Sequence, residues 1–248
     1  MSTILVFLYA YKNKKLFKVI DLLYKQSSKT NNIKFIVFDQ DNENKKDYYL
    51  KYNNVEYNHI FWDTVDGVSL YRNKAIDQSF DYFLEIGNIN SIEENWDIKL
   101  IEYAKTNSFI SIESNLINLD FIFCNKKNTE ILKSLFPLKY YGQDLLLYYF
   151  IYKNNLTLFK INEDFCNFEN NNLLNSDYIP YSLTHKYNEK LSDVFNDTDF
   201  IKHCNLNNIK INKIKNIKND IEYSSTIYNL DGNSQKFFNV LKTIRKVG

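Results

Sequence analysis

The chain is poor in the residues from which most compact catalytic motifs are built. Its 248 residues include five glycines, two prolines, three cysteines and three histidines. No Gly-rich phosphate loop, nucleophile elbow or two-histidine metalloprotease helix can be traced in it. Cys124, Cys166 and Cys204 are widely spaced and odd in number. They cannot close a disulfide framework and lack metal-ligand spacing, so they read as buried free thiols. There is no apolar run of the length a membrane-crossing helix needs. Charge of one sign is missing too: 31 Lys and Arg face 30 Asp and Glu, a net charge of +1. Sequence-wide electrostatics therefore gives no support for a nucleic-acid partner.

What is present describes a globular α/β protein. Hydrophobic residues make up 44% and charged residues 25%, both ordinary, whereas aromatics at 17% are high. The excess of Asn, Lys, Ile and Tyr matches the coding bias of an AT-rich genome, and the Asn runs carry no functional message. At the start, the apolar run comes directly after Met1-Ser2-Thr3 and the lysines follow it. A signal peptide has the opposite order, so this stretch reads as a first strand and the protein as cytoplasmic, in a host cytoplasm if viral.

Periodicity gives the organisation. Ile4–Leu8 is a continuous apolar run, as in a strand buried on both faces, and Ile33–Phe38 reads as a second buried strand. Lys15–Lys25 carries apolar residues at helical spacing between them. A short helix at Asp47–Tyr52, a strand at Val55–Phe61, a helix at Gly67–Phe80, a strand at Tyr82–Ile86 and a helix at Trp96–Thr106 follow. This alternation predicts a mainly parallel, doubly wound sheet. Beyond it, strands are expected at Phe109–Ile112, Phe121–Cys124 and Leu156–Ile161, and helices at Asn128–Phe136 and Asp144–Tyr152. The division expected is a domain over 1–170 and a polar, irregular C-terminal extension over 171–248 that ends in an amphipathic helix, Ser234–Lys246.

Asp66–Asp97 is the most informative segment. An Arg-Asn pair (Arg72, Asn73) opens a helix, an apolar strand follows, and a Trp-Asp pair (Trp96, Asp97) closes the unit. The ends of the first two strands carry Tyr9, Ala10, Tyr11 and Asp39, Gln40, where open α/β sheets bind ligands. Arg72, next to a Gly67-containing turn, suits bidentate pairing with phosphate or a structural ion pair with Asp66 or Asp77. Asp144 stands at the start of an apolar helix, as a base or as a partner of the helix dipole.

The order of these pieces resembles the GT-A glycosyltransferases, in particular the family that transfers GlcNAc from UDP-GlcNAc to hydroxylated protein residues. The resemblance rests on Val6–Asn13, Ile33–Asn42, Gly67 through Arg72, Asp81–Asp97 and Tyr140–Ile161. It implies a GT-A, Rossmann-like, mainly parallel mixed sheet flanked by helices. It also implies a UDP-sugar donor and a protein or glycan hydroxyl as acceptor. Carried over position by position, Tyr9, Ala10, Tyr11, Asp39 and Gln40 meet the base, and Gly67, Arg72 and Asn73 meet the diphosphate and ribose. Asp144 faces the acceptor.

One departure stands out. Aligning Trp96-Asp97 with the family's Trp-Asp puts its Asp-Ser-His metal motif on Gly87-Asn88-Ile89, where both metal ligands are gone. Asn88 can offer only a neutral oxygen, so no metal site is assigned and a divalent cofactor is doubtful. Three readings stay open: a metal-independent transferase, a ligand drawn from elsewhere such as Glu85 or His185, and a degenerate homologue, viral in origin, that binds without turnover. A phage-type enzyme acting on modified DNA bases is a weaker alternative, resting on lysines between Lys210 and Lys218 and in the C-terminal tail.

Overall fold

A computed structural model of the chain describes residues 1–11, 16–40, 46–49, 51–59, 68–113, 117, 119–135, 143–168, 193–194, 196–207 and 209. The turn at Gly67, the lysines at 210–218, His185, the helix expected at 234–246 and nearly all of 171–248 lie outside these residues. So do the side chains of Ala10, Tyr11 and Gln40.

Nine strands and seven α-helices are described. They are β1 (Thr3–Tyr11), α1 (Leu16–Gln26), β2 (Asn32–Gln40), α2 (Lys46–Tyr49), β3 (Val55–His59), α3 (Val68–Ile76), β4 (Tyr82–Ile86) and β5 (Ile89–Ile92). Then come α4 (Trp96–Ala104), β6 (Phe109–Ile112), β7 (Phe121–Asn125), α5 (Thr129–Lys133), α6 (Gln143–Lys153), β8 (Leu158–Ile161), β9 (Cys166–Phe168) and α7 (Thr198–Leu206). The main sheet has seven strands in the order β3-β2-β1-β4-β7-β6-β8. All of its pairings are parallel except those of β7, which runs against both β4 and β6. The mainly parallel α/β sheet expected from the alternating runs is therefore present.

Both faces are covered. On one, Val6, Leu8, Val37, Leu84, Ile86 and Phe123 form a core with α1 and α4. Helix α1 joins it through Leu16, Val19, Ile20 and Leu23, spaced i, i+3, i+4, i+7 so that they share one stripe. On the other, aromatic rings dominate: Phe7 packs against Phe38 and Phe83, and Phe38 lies 4.8 Å from Tyr71 of α3.

Two elements differ from the sequence expectation. Strand β5 pairs with β9 in a separate antiparallel ribbon, with a register shift between Ile89 and Ser91. Helix α7 falls in a stretch read as irregular. Asp197 caps it by accepting from the Phe200 N–H at 2.9 Å, and Phe200 buries itself against Tyr149 and Tyr152 of α6. One compact unit spans Met1–Ile211; the other, Asn212–Gly248, lies outside the described residues.

Candidate functional site

Because β1, β2, β3 and β4 are parallel, their C-terminal ends at Tyr11, Gln40, His59 and Ile86 share one edge of the sheet. Strand β7 runs the other way, so its first residue, Phe121, pairs with Ile86 at the same edge. This is where an open α/β sheet offers loops and unsatisfied strand ends to a ligand.

Arg72 sits at the centre of this edge. It is 1% exposed, and its guanidinium is divided between two partners. Nε and Nη2 donate to the two oxygens of Glu85 at 2.5 and 2.8 Å, and Nη1 donates to Gln143 Oε1 at 2.9 Å. The structural partner is thus Glu85 on β4 rather than Asp77, which pairs with Lys133; Asp66 lies outside the described residues. Glu85 interrupts an otherwise apolar strand, and a carboxylate there must be paired to be tolerated. The planar fork of arginine meets both oxygens and still reaches a third group. That third group, Gln143, is the first residue of α6, so the same contact ties the start of α6 to β4.

Asp144 follows Gln143 in the first turn of α6 and is half-buried. Burial pushes its carboxyl above the usual carboxylate range, outweighing the backbone N–H groups of Leu145 and Asp144 itself, which pull it down. Asn73, next to Arg72 in α3, has its side-chain carbonyl oxygen buried without a hydrogen-bond partner among the described residues.

The ends of β1 and β2 divide between the two faces. Tyr9 is half-buried and stacks on Tyr71 with ring centroids 6.1 Å apart, presenting a ring at the strand end. Asp39 is fully buried and accepts from the Tyr57 hydroxyl at 3.2 Å, with Tyr49 also near enough to feel its charge. An acid so enclosed holds the ends of β2 and β3 together.

The position expected to carry a metal-binding acid holds Gly87. The backbone N–H of Gly87 donates to the Asp120 carbonyl at 2.8 Å, extending the β4–β7 ladder past Ile86. A Cβ at position 87 would lie 3.0 Å from Asp120 Cβ and 3.2 Å from its Oδ1. Asp120 is reached by solvent, yet the protein packed around it desolvates its carboxyl, which together with the nearby Glu85 charge raises its pKa. Asn88 is half-buried beside it.

Trp96 and Asp97 are elsewhere. Trp96 is fully buried and donates its indole N–H to the Leu23 carbonyl at 2.8 Å. Asp97 accepts from the Ser28 N–H, the Ser28 hydroxyl and the Asn31 amide at 2.8, 2.6 and 2.8 Å. Burial raises the Asp97 carboxyl, but these donors outweigh it and leave the pKa below the ordinary value. Trp96 thus fastens α4 to α1, and Asp97 fastens it to the loop that enters β2, at the sheet edge opposite the candidate site.

Sequence reasoning missed Gln143 and Asp120 as members of this edge. Gln143 has no signal apart from preceding Asp144, and Asp120 reaches Gly87 only through the antiparallel register of β7. Away from this edge, a concavity of about 850 Å³ lies beside the edge strand β8 and is lined by Tyr148, Tyr152, Lys160, His203 and Asn207 among others. His203 there meets the Tyr148 hydroxyl at 3.1 Å and packs at a tilt against the Tyr152 ring, centroids 4.7 Å apart.

No protein-family model matches the sequence, and no curated protein matches it. Solved structures do resemble the fold. Glucosyl-3-phosphoglycerate synthase from Mycobacterium tuberculosis, in complex with Mn²⁺, UDP-glucose and phosphoglyceric acid, superposes with a TM-score of 0.50 at 12% identity, covering 69% of this chain and 73% of that one. The same enzyme with Mn²⁺, UDP and glucosyl-3-phosphoglycerate gives 0.50 at 13% identity, covering 69% and 74%. A 4-diphosphocytidyl-2C-methyl-D-erythritol synthase from Anaerococcus prevotii gives 0.48 at 13%, covering 65% and 87%. At such identities the likeness is one of architecture: this chain has the GT-A-type α/β fold.

Proposed function

We propose that the protein binds a nucleotide sugar, UDP-linked, at the C-terminal edge of β1, β2 and β4, and transfers its sugar to a hydroxyl of a protein or glycan acceptor. The observation that carries this reading is the Arg72–Gln143 contact. It brings the first turn of α6, with the raised carboxyl of Asp144, to the end of the strand that presents Gly87 and Asn88. The likeness of fold to a synthase whose structure holds UDP-glucose supports the choice of donor class.

In this reading Tyr9 and Tyr11 stack on or flank the base, with Ala10 and Gln40 beside them. Asn73, Asn88 and the turn at Gly67 approach the ribose and diphosphate. Arg72 and Asp39 act as positioning residues, Arg72 through Glu85 and Gln143 and Asp39 through Tyr57. Asp144 takes the proton of the acceptor hydroxyl as that oxygen attacks the anomeric carbon, and the nucleoside diphosphate leaves. A carboxyl whose pKa is raised by burial is a stronger base than an ordinary aspartate once it is ionised.

A second reading keeps the binding but not the turnover. It is favoured by Gly87, which removes the side chain expected at the end of β4, and by the burial of Arg72 against Glu85 and Gln143. The two readings separate in one experiment: calorimetric titration of UDP, UDP-GlcNAc and UDP-glucose, followed by a hydrolysis and transfer assay with the sugar that binds. Binding with turnover supports the transferase, binding without turnover supports the second reading, and no binding of any of the three removes both.

A further inference from the structure

GT-A folds are associated with a divalent cation on the donor diphosphate, so the residues at the end of β4 must be tested for their fit to one. A hard cation takes several oxygen ligands and needs anionic ones among them. Glu85 has both oxygens committed to Arg72, at 2.5 and 2.8 Å. Gly87 has no side chain, and Asn88 offers a neutral amide. Asp120 contributes one carboxyl, whose raised pKa lets protons compete for it. Among the described residues no group of three His, Cys, Asp or Glu side chains could hold a metal. The donor set among the described residues does not fit.

The geometry also explains why no acid stands at position 87, just past the end of β4. A side chain at 87 would have to begin 3.0 Å from Asp120 Cβ. That atom is fixed to the β7 backbone, which the Gly87 N–H to Asp120 carbonyl bond holds in register at 2.8 Å. The contact cannot be relieved by turning the aspartate to another rotamer, because Cβ does not move with χ1. Glycine at 87 and aspartate at 120 are a matched pair across two strands.

We propose that Asp120, on the antiparallel neighbour of β4, occupies the place of the side chain missing at Gly87, and that this strand end takes its nucleotide ligand without a divalent cation. The second half rests on the nucleotide-sugar reading above; the first half stands without it. Asp120 meets the ligand directly, accepting hydrogen bonds from sugar hydroxyls, in the space where a metal would otherwise stand.

Three measurements on the full chain test this. Titration of Mn²⁺ alone, followed by its electron paramagnetic resonance signal, is expected to show no saturable site. Saturable binding abolished by Asp120→Asn would overturn the proposal. Titration of UDP in EDTA and in Mn²⁺ is expected to give the same Kd within about twofold, whereas about tenfold tighter binding with Mn²⁺ (~1.4 kcal/mol) contradicts the proposal and leaves the nucleotide reading intact. Absence of UDP binding in both buffers sinks the nucleotide reading and with it the metal-free binding. The matched pair is then judged alone, by urea unfolding. Gly87→Ala should lower the midpoint, Asp120→Gly in that background should recover part of the loss, and Asp120→Ala, which keeps the Cβ, should not. Additive effects of Gly87→Ala and Asp120→Gly would refute the pairing.

Discussion

Replacing Arg72 by methionine keeps an unbranched side chain in α3 but removes a guanidinium that is 1% exposed. Three contacts disappear, two to Glu85 at 2.5 and 2.8 Å and one to Gln143 at 2.9 Å. The larger effect is on what remains, because Glu85 is only 8% exposed and its carboxyl is left buried without its partner. Breaking a buried pair from one side costs about 3–5 kcal/mol. Folded domains hold about 5–15 kcal/mol in total, so the variant would lose a large part of its stability. At a urea m-value of about 2.5 kcal/mol/M, a loss of about 4 kcal/mol lowers the unfolding midpoint by roughly 1.5 M. Removing the charge from both sides, in Arg72→Met with Glu85→Met, should recover most of it, since apolar replacement of a whole buried pair is often near neutral. Arg72→Lys should fall between, because an ammonium cannot reach both carboxylate oxygens and Gln143 together. The assay is urea denaturation followed by tryptophan fluorescence. If Arg72→Met cost less than about 1 kcal/mol yet weakened UDP binding tenfold or more, the guanidinium would be a phosphate ligand and the positioning role assigned to it would be wrong.

Other outcomes follow from the same geometry. Asp144→Asn should reduce transfer by about 10²–10⁴-fold with donor affinity unchanged, and a variant of full activity would remove Asp144 as the base. Because the base must be ionised and its pKa lies above the ordinary value, kcat should fall as pH drops through that raised pKa. Asp97 works in the opposite sense. Its folded pKa is depressed, so its contribution is fully present above the unfolded value and is lost as pH falls through the folded one. Asp97→Asn should therefore flatten the acid limb of a plot of melting temperature against pH, and an unchanged limb would show that its three hydrogen bonds contribute little.

Most of the sheet was legible because its strands are buried on both faces. Ile4–Leu8 is an unbroken apolar run, and Ile33–Phe38 and Tyr82–Ile86 are apolar apart from Lys34 and Glu85; all three are too short for independent helices and are separated by segments of helical spacing, which leaves few other arrangements. The ribbon of β5 and β9 was not legible. Its partners, Ile89–Ile92 and Cys166–Phe168, are four and three residues long, far apart in sequence and offset by an irregular register. Helix α7 did have a local signal, Asp197 before Thr198, but it stands among Asn and Asp residues that also occur in loops.

The candidate site divides in the same way. A glutamate inside the apolar run of β4 announces that some cation must reach it, and Arg72 was singled out on other grounds. Nothing local pairs the two, which are 13 residues apart on a helix and a strand. Asp39 at a strand end looks like a ligand-facing acid in sequence, and only the face it occupies shows that it is enclosed by Tyr57 and Tyr49. Trp96 and Asp97 illustrate the converse. Read as the close of a nucleotide-sugar motif, they are built into the opposite edge, where the indole bonds α1 and the carboxylate satisfies the chain entering β2. The glycine at 87 is plain in the sequence, but its cause, the Cβ of Asp120, exists only across the β4–β7 register.

The most direct test of the account is a titration of the ¹⁵N-labelled protein with UDP-glucose in EDTA, followed by amide chemical shifts. Binding as described would perturb Tyr9 and Ala10, Asp39 and Gln40, Ile86 to Asn88, Asp120 and the first turn of α6 at Asp144, while Asp97, Leu23 and Asn31 stay still. Shifts confined to the cavity around Tyr148, Tyr152 and His203, or no shifts at a saturating concentration, would contradict a nucleotide-sugar site at the C-terminal edge of the sheet.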